Sequence, residues 1–198
     1  MQAPRPSKPS KRLIKLSTDH YRLRTLTVDD ASDRWAVWFS EPYVITMLNA
    51  RPVDWNKATV IKYINQFDQR SDHLLGIFEK ENETLIGIWT LKINYQTNQC
   101  LVSTVIGEAE YRRKGALSET RAALYDYLFD DLGLEMMLAS ALSRNTIIIN
   151  TMLKHGWKLD KTMKNHTKSN SDGTMLDLCL FSFTRESWLA WKRSLPAS

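Results

Sequence analysis

Apolar residues change their spacing several times along the chain, and each change predicts an element. In Tyr21–Thr25, Tyr, Leu and Thr alternate with arginines, the period of a half-buried strand. Ala31, Trp35, Trp38 and Phe39 then recur at helical spacing. Thr27 is placed to cap that helix, with Asp30 as its capping-box partner, and Pro42 to end it. Asp54 is a second cap candidate, before a stripe of Ala58, Ile61, Ile64 and Phe67. Strand-like apolar runs follow in residues 73–80, 84–94 and 99–107, joined by short polar turns, which predicts an antiparallel meander.

Residues 108–114 are polar and charged. Gly115 then opens a helix to about Leu132, with Leu117, Leu124, Leu128 and Leu132 on one face and Gly133 to stop it. Met136–Leu142 is a further strand. Asn145 caps a short helix carrying Ile148, Ile149 and Met152, and Gly156 closes it before Trp157. Residues 157–160 start a strand, 161–173 read as a polar loop, Met175–Thr184 is a last strand and Arg185–Ser194 a closing helix. Mixed helices and strands of this order give an α+β class, or α/β with a mixed sheet.

Composition narrows the picture. The chain has 198 residues, enough for one domain with a core of its own. No apolar run approaches a membrane span, and residues 1–12 lack the apolar stretch of a signal peptide, so cytoplasm is the expected location. Cys100 and Cys179 lie in apolar runs and read as buried thiols, and no Cys/His spacing resembles a zinc site. The net charge of +5 is carried by Arg5, Lys8, Lys11, Arg12 and Lys15, before the first acid, Asp19. Residues 1–18 therefore read as a flexible basic tail, and residues 19–198, with no net charge, as a single folded domain. Nucleic-acid binding through such a tail would be salt-dependent and lost with its deletion; a basic face on the folded body, the usual footprint, is not indicated.

The run Arg112-Arg113-Lys114-Gly115 between a strand and a helix has the makings of an anion site. The first amides of a helix have no internal partner and carry the positive end of its dipole, so they suit a phosphate. Gly115 permits close backbone approach, and the basic residues add charge. The run lacks the spacing of a Walker A loop or of a dinucleotide fingerprint. A plain charged helix start is the alternative.

Over roughly residues 21–188 the chain resembles the GNAT acetyltransferase superfamily, most closely the branch similar to the RimJ and RimL protein N-terminal acetyltransferases. Four features in order carry the resemblance. They are Leu23-Arg24-Thr25-Leu26-Thr27 with Asp29-Asp30-Ala31; Arg112, Gly115 and Leu117 for [QR]-x-x-G-x-[GA]; Asn145 with Gly156-Trp157; and Asp177 followed by an apolar strand and Arg185-Glu186-Ser187-Trp188.

The resemblance implies a mixed, mostly antiparallel sheet of six to seven strands, with helices on both faces. It implies acetyl-CoA as cofactor and a primary amine as acceptor, a protein N-terminus or a small molecule such as an amino sugar, in a monomer or homodimer. Val105, Ile106 and Gly107 would hold the pantetheine arm, on a strand that splays from Met136–Leu142. Arg112 and amides from Arg113 through Lys114, Gly115, Ala116 and Leu117 to Ser118 would hold the pyrophosphate. Asn145 would lie near the pantetheine or the reacting centre, or simply cap its helix. Trp35, Trp38 and Trp89 would border the acceptor.

The chain departs from the family pattern twice. Leu117 replaces a small residue, and Met152 stands where many members have a tyrosine that protonates the departing thiolate. Glu108 is the nearest carboxylate for a catalytic role beside Asn145, with His73 and Ser103 as weaker candidates. The sequence thus predicts an acetyl-CoA-dependent N-acetyltransferase, with a non-catalytic acyl-CoA-binding module of the same fold as the alternative.

Overall fold

The computed structural model describes residues 9–50, 53–112 and 114–194. Eight strands form one sheet in the order β1-β2-β3-β4-β5-β6-β8-β7. They are β1 (Lys15–Ser17), β2 (Tyr21–Thr25), β3 (Asp72–Glu79), β4 (Leu85–Asn94), β5 (Gln99–Ile106), β6 (Met136–Leu142), β7 (Lys158–Lys168) and β8 (Met175–Thr184). β1 to β5 run as an antiparallel meander. β6 joins β5 in parallel, and β8 pairs antiparallel with both β6 and β7. A parallel joint needs a crossover, which the helix α4 (Ala116–Asp126) and the π-helical turn after it supply.

Helices cover both faces. On one lie α1 (Asp33–Trp38), α2 (Pro42–Leu48) and α3 (Lys57–Ile64), whose Trp35, Trp38, Val44, Val60 and Ile64 pack with Leu74, Phe78 and Ile88 of the sheet. On the other, Leu124, Tyr125 and Phe129 of the crossover, Met152 of α5 (Thr146–Lys154) and Trp188 of α6 (Arg185–Ser194) cover Leu75, Ile77, Trp89, Met137 and Phe183. Alternate residues of β3 thus point into two cores, which is why it reads as an unbroken apolar run.

The α+β mixed fold anticipated from the sequence is present, with local corrections. The sheet has eight strands, not six to seven, because Lys15–Ser17 pairs with β2. Ile14, just before it, is buried, so the flexible-tail expectation fails at this end of residues 1–18; residues 1–8 lie outside the described ones. Thr27 and Asp30 cap only a 3-10 turn, and Ser32 caps α1. Pro42 starts α2 instead of ending a helix: its missing N–H costs nothing at the first helical position. Asn56, not Asp54, caps α3, accepting from Thr59 N at 3.1 Å. Residues 161–168, expected in a loop, extend β7 along β8, because an edge strand can be polar on its solvent side.

Candidate active site

β5 and β6 pair only at Gln99–Met136, Cys100–Met137 and Leu101–Leu138. Beyond Leu101 the two strands part, leaving a cleft of about 430 Å³. Val102, Ser103 and Thr104 of β5 and Ala139, Ser140, Ala141 and Leu142 of β6 form its walls. Arg121 and Tyr125 of α4, with Ile148 and Met152 of α5 and its N-cap Asn145, line it on one face of the sheet. Met47 and Leu48 of α2 and its C-cap Asn49, with His166 and Thr167 of β7, line it on the other. The cleft therefore passes through the sheet, and molecules on opposite faces can meet in it.

α4 begins beside the parted strands. Gly115 precedes it with φ +85°, and a Cβ there would meet nothing within 4 Å. The space in front of the helix is open. The first hydrogen bond back along α4 runs from Glu119 N to Gly115 O at 3.0 Å, which leaves the amides of Ala116, Leu117 and Ser118 without helical partners. The Leu117 side chain packs against the core below α4, so it is turned from this space. Lys114 is exposed, its ammonium 5.5 Å from the Tyr111 ring. Arg113 lies outside the described residues. Free helix-start amides beside a glycine and a lysine are groups that suit a phosphate.

Arg112 is differently employed. Its guanidinium forks onto Glu41 at 2.7 and 2.5 Å, and it also donates to the carbonyls of Ile106 at 3.0 Å and Gly107 at 2.8 Å. It binds α2 to the end of β5 and has little donor capacity left for a phosphate. The same contacts occupy the Ile106 and Gly107 carbonyls expected to serve the pantetheine. Val105 packs against the core on the α1–α3 face, and the cleft reaches β5 only at Val102–Thr104 among neighbouring positions. Gly107 is glycine for another reason: a Cβ would lie 1.9 Å from the Trp38 ring.

Glu108 does not line the cleft. It accepts from Arg34 Nε at 2.6 Å and from Trp38 Nε1 at 2.9 Å. The hydrogen bond from Arg34 chiefly holds its carboxyl below the usual range, making it a weak base. Trp35 and Trp38 are buried in the α1–α3 core, so they are not acceptor walls. Trp89 does line the cleft, but from the α4 side, where its Nε1 reaches Thr120 Oγ1 at 3.5 Å. His73 is buried away from the cleft, with Nε2 3.2 Å from Arg70 O. Asn145 lines the cleft and also caps α5 through Ile148 N at 3.4 Å.

The residues that the sequence reading missed are Arg121, Tyr125, Ser140 and His166. Arg121 was legible in principle as a charge on the apolar face of a predicted helix; the others depend on which strands meet. Burial pushes the Tyr125 phenol up to about 12, so it stays protonated. Among the described residues no cluster of His, Cys, Asp and Glu suits a metal, and no helix is long and apolar enough to cross a membrane.

Residues 20–158 match the Acetyltransferase (GNAT) domain. The chain belongs to the GNAT acetyltransferase family. No curated protein sequence matches it. Among solved structures, the GNAT fold here is similar to ribosomal-protein-S5-alanine acetyltransferase from Vibrio fischeri, with TM-score 0.74 and 17% identity over 88% of this chain and 98% of that one. A GCN5-related N-acetyltransferase from Brucella melitensis gives TM-score 0.76 and 18% identity over 97% and 86%. Spermidine N-acetyltransferase from Vibrio cholerae, solved with CoA and spermine, gives 0.75 and 16% over 86% and 98%. At these identities the likeness of this GNAT protein to its neighbours is one of fold.

Proposed function

We propose that the protein transfers an acetyl group from acetyl-CoA to a primary amine, on a protein N-terminus or on a small molecule such as an amino sugar. The observation that carries this reading is the cleft through the sheet, with the free amides of α4 beside it. Acetyl-CoA supplies, when bound, a thioester carbon open to attack. The amides of Ala116, Leu117 and Ser118, with Lys114 and Gly115, hold its phosphates. The β6 side of β5 at Val102–Thr104, where the pairing with β6 has ended, and the Asn145 side chain offer hydrogen bonds to its arm. The amine nitrogen forms the new C–N bond as the C–S bond breaks. One amine proton goes to solvent or to a nearby base, and the thiolate sulfur takes up another, so no redox partner is needed. Met152 cannot give that proton; the protonated Tyr125 phenol and the Ser140 hydroxyl also line the cleft.

The engaged Glu108 and the apolar Met152 favour a second reading, an acyl-CoA-binding module without turnover. Free-thiol release from acetyl-CoA, measured against N-terminal peptides, amino sugars, polyamines and aminoglycosides, separates the two. Release with any acceptor supports the enzyme. CoA binding by calorimetry without release across the panel supports the module. No binding of CoA at all overturns both.

A further inference from the structure

Arg121 is the one charged side chain that α4 sends into the cleft, and it is only 4% exposed. A guanidinium so placed stays charged and needs an anion to offset lost hydration. Among the described residues no carboxylate pairs with it. None of the residues lining the cleft is an Asp or Glu. Its hydrogen-bond partner is the Nδ1 atom of His155, 2.9 Å from Nη1. That same Nδ1 lies 2.7 Å from the Thr151 carbonyl oxygen. With a proton on Nδ1 the ring serves Thr151 and leaves Arg121 bare; without it the ring accepts from Arg121 and faces the carbonyl lone pair. The Nε atom of Arg121 is buried and has no partner. Negative charge nearby amounts to the C-terminal end of α5, roughly half an elementary charge spread over its last carbonyls.

A buried cation with an unmet donor, lining an otherwise carboxylate-free cleft, is arranged to receive an anionic group from a ligand. We propose that Arg121 pairs with a carboxylate carried into the cleft by a substrate, so that the protein selects an acyl group or an acceptor amine bearing that carboxylate. This rests on the acyl-transfer reading and narrows it. Arg121 lies five residues beyond Ala116, about 7.5 Å along the α4 axis, and its guanidinium turns to His155 instead of to the helix start, so it is not part of the phosphate cradle. Ala139, Ser140 and Ala141 of β6 keep the facing wall small. The forked guanidinium matches a carboxylate in geometry as well as charge. The same charge disfavours polycationic acceptors, which find no acid among the lining residues.

The test uses the full chain, with Arg121→Met and Arg121→Gln as variants. CoA, acetyl-CoA and succinyl-CoA are titrated by calorimetry, and free amino acids are compared with their amides by thermal shift in the presence of CoA. Turnover is not required for either measurement. The carboxylate-bearing member of one pair is expected to bind about tenfold or more tightly to the wild type, the scale of one charge-assisted hydrogen bond. Both variants lose that preference and bind CoA unchanged. Succinyl-CoA preference identifies the acyl group as the source, and amino-acid preference the acceptor. Equal binding within both pairs, or a preference that survives in both variants, overturns the assignment of Arg121. Failure of CoA itself to bind overturns the acyl-transfer reading, and this inference with it.

Discussion

At Gly115 the backbone adopts φ +85°, yet a side chain there would meet nothing. The residue is therefore constrained by conformation, and the space before it stays open. Gly115→Ala should lower stability by about 1 kcal/mol, the cost of the left-handed region for an L-residue, and weaken CoA binding by placing a methyl group in the phosphate cradle. Chemical denaturation and calorimetric titration check the two effects separately; unchanged CoA affinity would show that the helix start holds no phosphate. Glu41 makes a different kind of contribution. The hydrogen bond from Arg112 is the main cause that holds its carboxyl below the ordinary 4.5. A depressed carboxylate adds stability that is full above its unfolded value and is lost as pH falls through its lower folded value. Glu41→Gln should cost on the order of 1 kcal/mol near neutrality, where the pair is partly solvated, and flatten the fall in stability below about pH 4.5. Acid-titrated melting curves of both proteins test this.

At the scale of elements, α2 is tied across one mouth of the cleft. Asn49 ends it in the left-handed region at φ 52° and donates from Nδ2 to Lys168 O at 3.0 Å. Asn170 returns two bonds, from N to Asn49 Oδ1 at 2.8 Å and from Nδ2 to Asn49 O at 2.7 Å. This strap joins α2 to the β7–β8 hairpin where Met47, Leu48, His166 and Thr167 line the cleft. Under the acyl-transfer reading, with CoA held at α4 and the amine entering by the opposite, α2 mouth, Asn49→Ala should free α2 and raise the KM for the acceptor several-fold, while leaving CoA affinity near the wild-type value. Steady-state kinetics with each substrate varied in turn would show whether the effect falls on that side. Neither α2 nor the strap was legible in the sequence. Pro42 looks the same when it ends one helix as when it starts another, and Asn49 and Asn170 are brought together only by tertiary folding. The meander, by contrast, was legible, because strand-like apolar runs joined by short turns specify neighbours directly. So was the start of α4, because a glycine between a basic turn and an apolar stripe has few other uses.

For the molecule as a whole, the sequence revealed the fold class but not the division of labour within the site. Arg112 sits at a motif position, yet its fork is filled by Glu41, a residue 71 positions away. Glu108 was chosen for its closeness in sequence to the cradle, and Arg34 from the opposite layer claims it. Pairings of this range depend on how layers stack, which local pattern does not encode. The parting of β5 from β6 has a further consequence, for how the chain folds. β1 to β5 pair with sequence neighbours, and β6, β8 and β7 form a second group, while just three residue pairs stitch the groups together in parallel. Such a seam closes only after α4 has crossed between the two groups, so its loop entropy is met late and its own bonds return little. The seam is thus the natural last step of folding and first step of opening, and a molecule lodged in it would act on the lifetime of the native state as well as on chemistry.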